Sequence, residues 1–135
     1  MRLVRLFFAG GLDDDWTELT TGGRPVVRFA APDLQLAKRD GARIRADRPD
    51  VDVILDVRVT VTGDFRSARA WLASEATSTV QYAGTVDGLT GLIADIELAG
   101  VADGVTLVPE GSRTELDGVG RDVLNRLAMR GRASA

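Results

Sequence analysis

The stretch of residues 82–108 constrains the fold most, because it contains the pattern of a helix, a tight turn and a buried strand in succession. Thr85 is placed to cap the start of this helix, and Gly100 is placed to end it. The run 105–108 is short and apolar, which predicts a strand. Apolar residues recur at the helical spacing that predicts one buried face, namely Leu89, Leu92, Ile93 and Ile96. A helix that enters a strand through about four residues is half of a βαβ unit, so we predict an α/β fold.

Composition excludes several kinds of site. The chain has 135 residues, a net charge of −3, no cysteine and no histidine. Disulfides, thiolate metal ligands, cysteine nucleophiles and histidine-based triads are therefore excluded. The negative charge argues against nucleic-acid binding. No apolar run approaches the ~18 residues of a membrane span, so we expect one cytoplasmic domain over residues 1–135.

Residues 51–62 alternate strictly between apolar and polar side chains, which predicts one long strand with a buried face and a polar face. Interior strands of parallel sheets are apolar on both faces. We therefore expect this strand to lie at a sheet edge, to pair antiparallel, or to line a polar cavity. Asp56 and Arg58 on its polar face are the candidate catalytic residues, although a solvated or cross-strand ion pair is the preferred interpretation.

The other segments give less distinctive patterns. Asp13, Asp14 and Asp15 could suggest a metal site, but one contiguous acidic run is typical of a solvated loop, so we predict no metal site. The remaining predictions are strands at 2–8 and 25–30, a helix at 33–40 ended by Gly41, a short strand at 42–45, a helix capped by Asp64, and a last helix from the capping box at 112–115 to Gly131.

The order of these segments resembles the C-terminal part of the luciferase-like flavin-dependent monooxygenases. Residues 84–87 resemble the family's G-T-x-E/D helix start, and residues 99–104 resemble its A-G-x-x-D-G entry into the final strand. Residues 123–131 are similar to the V-L-x-x-L-x-x-R-G end of its closing helix, and residues 23–26 to its G-R-P-V strand. Residues 63 and 64 match the G-D turn after a later strand. The resemblance is collinear over residues 22–131, between an N-terminal strand and acidic loop at 1–21 and a tail at 132–135.

The resemblance implies part of a parallel (β/α)8 barrel that binds FMN or, in some members, deazaflavin. Such barrels need roughly 200 residues or more, so this chain corresponds to a half barrel that is incomplete or rearranged. The flavin phosphate would lie after the G-R-P-V strand, which makes Ala30 and Ala31 the candidate cofactor-binding residues. Pro32 lacks an N–H, and the carboxylate of Asp33 would repel a phosphate. The chain could therefore also bind no flavin.

Three functions remain open at this point. The first is a truncated luciferase-like protein that serves as an accessory or partner subunit of a flavin-dependent monooxygenase. The second is a flavin-dependent oxidoreductase whose site is built across a dimer interface. The third is a small α+β binding module in which Trp16, Trp71 and Tyr82 line an apolar cleft. The open edges of a half barrel predict a homodimer, or a complex with a chain that supplies the missing half of the barrel.

Overall fold

The computed structural model describes residues 4–9, 16–61, 79–109 and 113–131. These residues form six strands and three helices. In chain order the elements are β1 (Arg5–Phe8), β2 (Thr17–Glu18), β3 (Val26–Phe29), α1 (Leu34–Asp47), β4 (Asp52–Val61), β5 (Val80–Gly84), α2 (Val86–Leu98), β6 (Gly104–Pro109) and α3 (Arg113–Met129).

The six strands form one sheet in the order β2–β1–β6–β4–β3, with β5 also paired to β4. All pairs are parallel except β1 with the two-residue β2. β6 occupies one edge of β4 along residues 54–59. β3 pairs with residues 52–55 of β4 and β5 with residues 57–61. Because both segments overlap the part of β4 that β6 covers, β3 and β5 must share its other edge, one after the other.

The predicted parallel βα units are confirmed, but the order of the strands in the sheet differs from that of a barrel. In a regular barrel of this kind, each strand lies beside the next one in sequence. Here β6 lies between β4 and β1, whereas β5 lies on the far edge of β4. The predicted half-barrel character is thus retained in a mixed α/β sheet whose strand order differs from that of a barrel.

The long alternating strand was expected to lie at an edge, to pair antiparallel, or to line a polar cavity, and the first two alternatives are wrong. β4 is central and has only parallel partners. Its polar face can be buried because cations on other segments meet its acids: Asp52 pairs with Arg5, and Asp56 pairs with Arg28. The alternation therefore reflects a buried charged face and not a solvent-exposed one.

The hydrophobic core lies on the opposite face of the sheet, where all three helices pack. Four odd-numbered residues of β4 are buried in this core, namely Val53, Leu55, Val57 and Val59. The helices contribute Ala37 from α1 and Ile93 from α2, among others. The remaining members from α2 and α3 are Leu89, Ala94, Ile96, Val123 and Leu127.

Helix α1 is longer than predicted, and the separate strand predicted at 42–45 is wrong. The helix continues through Gly41 to Asp47. A Cβ at Gly41 would lie 3.0 Å from the carbonyl oxygen of Val101. The glycine therefore permits close packing of α1 against the backbone at Val101, and it does not end the helix.

The helix–turn–strand unit that motivated the fold prediction is confirmed. Thr85 accepts a hydrogen bond from the N–H of Gly88, and Gly100 has a φ of 72° after the end of α2. Asp103, which is 3% exposed, accepts a hydrogen bond from the N–H of Val53 and pairs with Arg45 of α1. Two predicted features lie outside the described residues: the helix after Asp64, and Ser112 at the start of the capping box.

Candidate functional site

The polar face of the sheet holds a buried carboxylate with a guanidinium beside it. Asp56 is 8% exposed, and its Oδ1 accepts a hydrogen bond of 2.7 Å from Nε of Arg28 on β3. Burial raises the pKa of Asp56, although Arg28 acts in the opposite direction. The sequence pointed to Asp56 and Arg58, but the ion pair of Asp56 is with Arg28.

Asp56 lies where two strands meet along one edge of β4. β3 ends beside Leu55, and β5 begins beside Val57. Ala30, the residue after β3, is exposed at this junction, whereas Ala31 is 1% exposed and belongs to the core. The register therefore brings the candidate residues Ala30 and Asp56 to the same level of the sheet.

Trp16 packs on the same face. Its ring stacks on Phe7 with centroids 4.6 Å apart and planes 17° apart. Its Nε1 donates a hydrogen bond of 2.9 Å to Oγ1 of Thr106, the residue of β6 that is in register with Asp56. The Arg28 guanidinium carbon lies 5.9 Å from the centre of the Trp16 ring. Arg28 is thus held by a carboxylate and by an aromatic ring.

A second ionic cluster lies at the N-terminal end of the same face, around Arg5. Arg5 donates two hydrogen bonds to Glu18, of 2.8 and 2.6 Å, and one of 2.8 Å to the carbonyl oxygen of Arg24. It also donates one of 3.2 Å to Asp52. Burial raises the pKa of Glu18, but hydrogen bonds from Arg5 and Thr20 outweigh this, so the pKa lies below its usual value.

Beyond Asp56, towards the C-terminal end of β4, lie Arg58 and Thr60, with Gln81 of β5 in register with Arg58. All three side chains are half-buried. Oγ1 of Thr60 and Nε2 of Gln81 are buried without a hydrogen-bond partner. Unpaired buried polar atoms are rare in folded proteins and mark positions where a ligand or water can bind.

The predicted cleft of three aromatic residues is wrong for the two residues that the structure describes. Tyr82 is in register with Val59, packs against the core on the helix side, and donates a hydrogen bond of 2.8 Å to the carbonyl oxygen of Thr85. Trp16 lies on the opposite face of the sheet. Trp71 lies outside the described residues.

The N-terminus of α1 does not fit the phosphate of a flavin. Oδ1 of Asp33 accepts a hydrogen bond of 2.8 Å from the N–H of Leu36, which caps the helix. The carboxylate thus occupies the position where an anion would bind and opposes a second negative charge there. Pro32 has no N–H to offer.

Other features of the described residues do not add a site. A groove of about 560 Å³ lies between α2 and α3, but its charges are paired, with Asp87 3.2 Å from Arg126 and 3.4 Å from Arg130. Within residues 4–9, 16–61, 79–109 and 113–131, no three acidic residues lie close enough to hold a metal ion. No helix in this part of the chain is both long and apolar enough to cross a membrane.

Comparisons with known proteins show the fold alone. No protein-family model and no curated protein sequence matches this chain. Among solved structures, EDTA monooxygenase from Chelativorans sp. BNC1 is similar over 80% of this chain, with a TM-score of 0.63 and 12% sequence identity. The match covers 40% of that enzyme, so the chain spans less than half of its length.

Proposed function

We propose that this chain is a truncated luciferase-like protein that acts as an accessory or partner subunit of a flavin-dependent monooxygenase system in the cytoplasm. The observation that carries the proposal is the hydrogen bond between the Asp33 carboxylate and the N–H of Leu36. In the family that the sequence resembles, a flavin phosphate would bind after the preceding strand. A capped, negatively charged helix start disfavours flavin binding by this chain alone.

The two ends of the sheet support a role with a partner. At one end, β2 has only two residues and runs antiparallel to β1, which leaves little edge to extend. At the other end, β3 has no second strand partner among the described residues. An open parallel edge is a template for a further strand. The similarity to 40% of a monooxygenase chain is consistent with a partner that supplies the rest of a barrel.

A flavin-dependent oxidoreductase with its site across a homodimer interface is the second candidate. The raised pKa of Asp56 favours it, because carboxyl groups with raised pKa values are common in active sites. In that case Asp56 and Arg58 would face the flavin bound between two chains. The two proposals differ in whether this chain binds flavin without another protein.

The first experiment is a titration of FMN with the purified chain, followed by flavin fluorescence, with light scattering on the same sample. The accessory-subunit proposal predicts no saturable quenching. It also predicts that Asp33→Ser, which retains a capping side chain but removes the charge, binds FMN better than the wild type. Asp50→Ser, in an exposed turn, is the matched control. Saturable quenching by a wild-type dimer would refute the proposal and support the oxidoreductase.

The partner can be identified by cross-linking, because Lys38 is the single lysine of the sequence and is exposed on α1. Amine-reactive cross-linking in the producing cells, followed by mass spectrometry, should link Lys38 to a flavin monooxygenase chain. Adding the purified chain to that enzyme should change its flavin affinity or turnover. Cross-links to other copies of this chain alone would contradict an accessory role.

A further inference from the structure

We propose that Arg28 binds the carboxylate of a small monocarboxylic acid on the polar face of the sheet. Nε of Arg28 is already bonded to Asp56 at 2.7 Å. Its Nη1 and Nη2 groups form no hydrogen bond with the described residues. The Arg28 side chain as a whole is 22% exposed, so it is not closed off from solvent. This site belongs to the chain itself and does not depend on the partner role proposed above.

The geometry of the guanidinium determines which side is available. A guanidinium can bind a carboxylate through Nε and one Nη, or through its two Nη groups. Since Asp56 uses Nε, the end with Nη1 and Nη2 remains, and two parallel N–H groups match the two oxygens of a carboxylate. Asp56 and the Trp16 ring hold the planar group, so little side-chain freedom is lost when an anion binds.

The charge of the Arg28–Asp56 pair favours a monoanion over a phosphate. Asp56 already balances the charge of Arg28, so the pair is close to neutral. A phosphate dianion would place two negative charges beside the Asp56 carboxylate, and the burial of that carboxylate strengthens the repulsion. A carboxylate brings a single charge to the same two N–H groups.

A second observation indicates what else the ligand carries. Gln81 is in register with Arg58. Arg58 lies two positions beyond Asp56, which corresponds to about 7 Å along β4. Its Nε2 donor has no partner, and neither has Oγ1 of Thr60 one step further along the same face. A hydroxyl or carbonyl oxygen a few atoms from the carboxylate would meet this donor. The ligand class is therefore a small hydroxy or keto monocarboxylic acid.

The test is an NMR titration that follows the side-chain Nε–Hε signal of Arg28 and the Nε1–H signal of Trp16. The probes are 3-hydroxybutyrate, butyrate and inorganic phosphate as sodium salts. We expect both signals to shift saturably with 3-hydroxybutyrate, less strongly with butyrate, and least with phosphate. Phosphate that binds as well as the carboxylates, or the absence of a saturable shift at millimolar concentrations, would overturn the proposal.

Variants test the roles of the side chains separately. Arg28→Gln together with Asp56→Asn removes the ion pair without leaving a buried charge, and should weaken 3-hydroxybutyrate binding at least about tenfold, as followed by the Trp16 signal. Gln81→Leu should remove the preference for 3-hydroxybutyrate over butyrate. Arg39→Gln removes the same charge from an arginine that is 60% exposed, and should change nothing. Unchanged binding in the double variant would refute the assignment to Arg28.

Discussion

Replacing Arg5 by methionine tests whether the polar face of the sheet depends on its ionic cluster. The side chain of Arg5 is 9% exposed, that of Asp52 is 11% exposed and that of Glu18 is 20% exposed. Methionine has a similar length but would leave Glu18 without a cation and Asp52 with only Arg24, whose Nε lies 3.4 Å from Oδ1 of Asp52 on a side chain that is 46% exposed. Removing one partner of a buried ion pair lowers the free energy of unfolding by about 3–5 kcal/mol. Since one-fifth of Glu18 reaches solvent, we expect the lower end, about 3 kcal/mol.

Urea denaturation followed by circular dichroism measures this loss. With a slope of about 1.5 kcal/mol per molar urea, the midpoint should fall by about 2 M. A loss below about 1 kcal/mol would mean that solvent screens the cluster as it screens surface pairs, which would refute the reasoning.

Two further variants separate charge removal from a general effect of the substitution. Arg39→Met removes a cation that pairs with Asp40 at the surface, and its free energy of unfolding should change by less than about 0.5 kcal/mol. Combining Arg5→Met with Glu18→Leu and Asp52→Leu replaces the whole cluster by apolar side chains. This triple variant should be more stable than Arg5→Met alone, because the Glu18 carboxylate no longer remains in the sheet without a cation.

Two other predictions concern pH and glycine. The pKa of Glu18 is lowered from its usual value of 4.5, so ionised Glu18 stabilises the fold, and this contribution is lost as the pH falls through the folded-state pKa. The pKa of Asp56 is raised from its usual value of 3.8, so the ionisation of Asp56 destabilises the fold as the pH rises above 3.8. As the pH rises from about 3 to 6, Glu18→Gln should therefore lose stability relative to the wild type, and Asp56→Asn should gain stability relative to it, as measured by urea unfolding. If the difference in free energy of unfolding from the wild type changed with pH in the same direction for both variants, the prediction would be contradicted. Gly104→Ala would place its Cβ against the backbone carbonyl of Arg5 and should lower the free energy of unfolding by more than about 2 kcal/mol. A Cβ at Gly91 in α2 would meet nothing within 4 Å, so Gly91→Ala should raise the free energy of unfolding by about 0.5–1 kcal/mol. Thermal unfolding of the two variants measures both changes.

The elements that local signals specify could be predicted from the sequence. Helix α2 has its cap at Thr85, its apolar stripe and its terminating Gly100 within one short stretch, and the structure has all three. Gly41 misled the prediction because a glycine looks the same in sequence whether it ends a helix or permits close packing. Only the position of Val101, sixty residues further along, distinguishes the two.

The placement of β4 and the candidate site could be predicted only in part. The strand that contains Asp56 was predicted, but the cation that pairs with Asp56 is Arg28, which lies 28 residues earlier. The short strand that carries Arg28 reads VVRF and does not alternate, so nothing in it marks Arg28 as the partner of Asp56. Which strands are neighbours depends on long-range register, which residue patterns alone do not specify.

The position of β6 between β1 and β4 has a consequence for how the protein folds during synthesis. β1 pairs with β6 through Arg5 and Gly104, so the first strand finds its parallel neighbour only about one hundred residues later. Until β6 leaves the ribosome, β1 with β2 and β3 with β4 and β5 are two separate groups of strands with exposed edges. Contacts of such long sequence separation form slowly. The nascent chain is therefore most exposed to aggregation and to chaperones just before its last strand joins the two groups into one sheet.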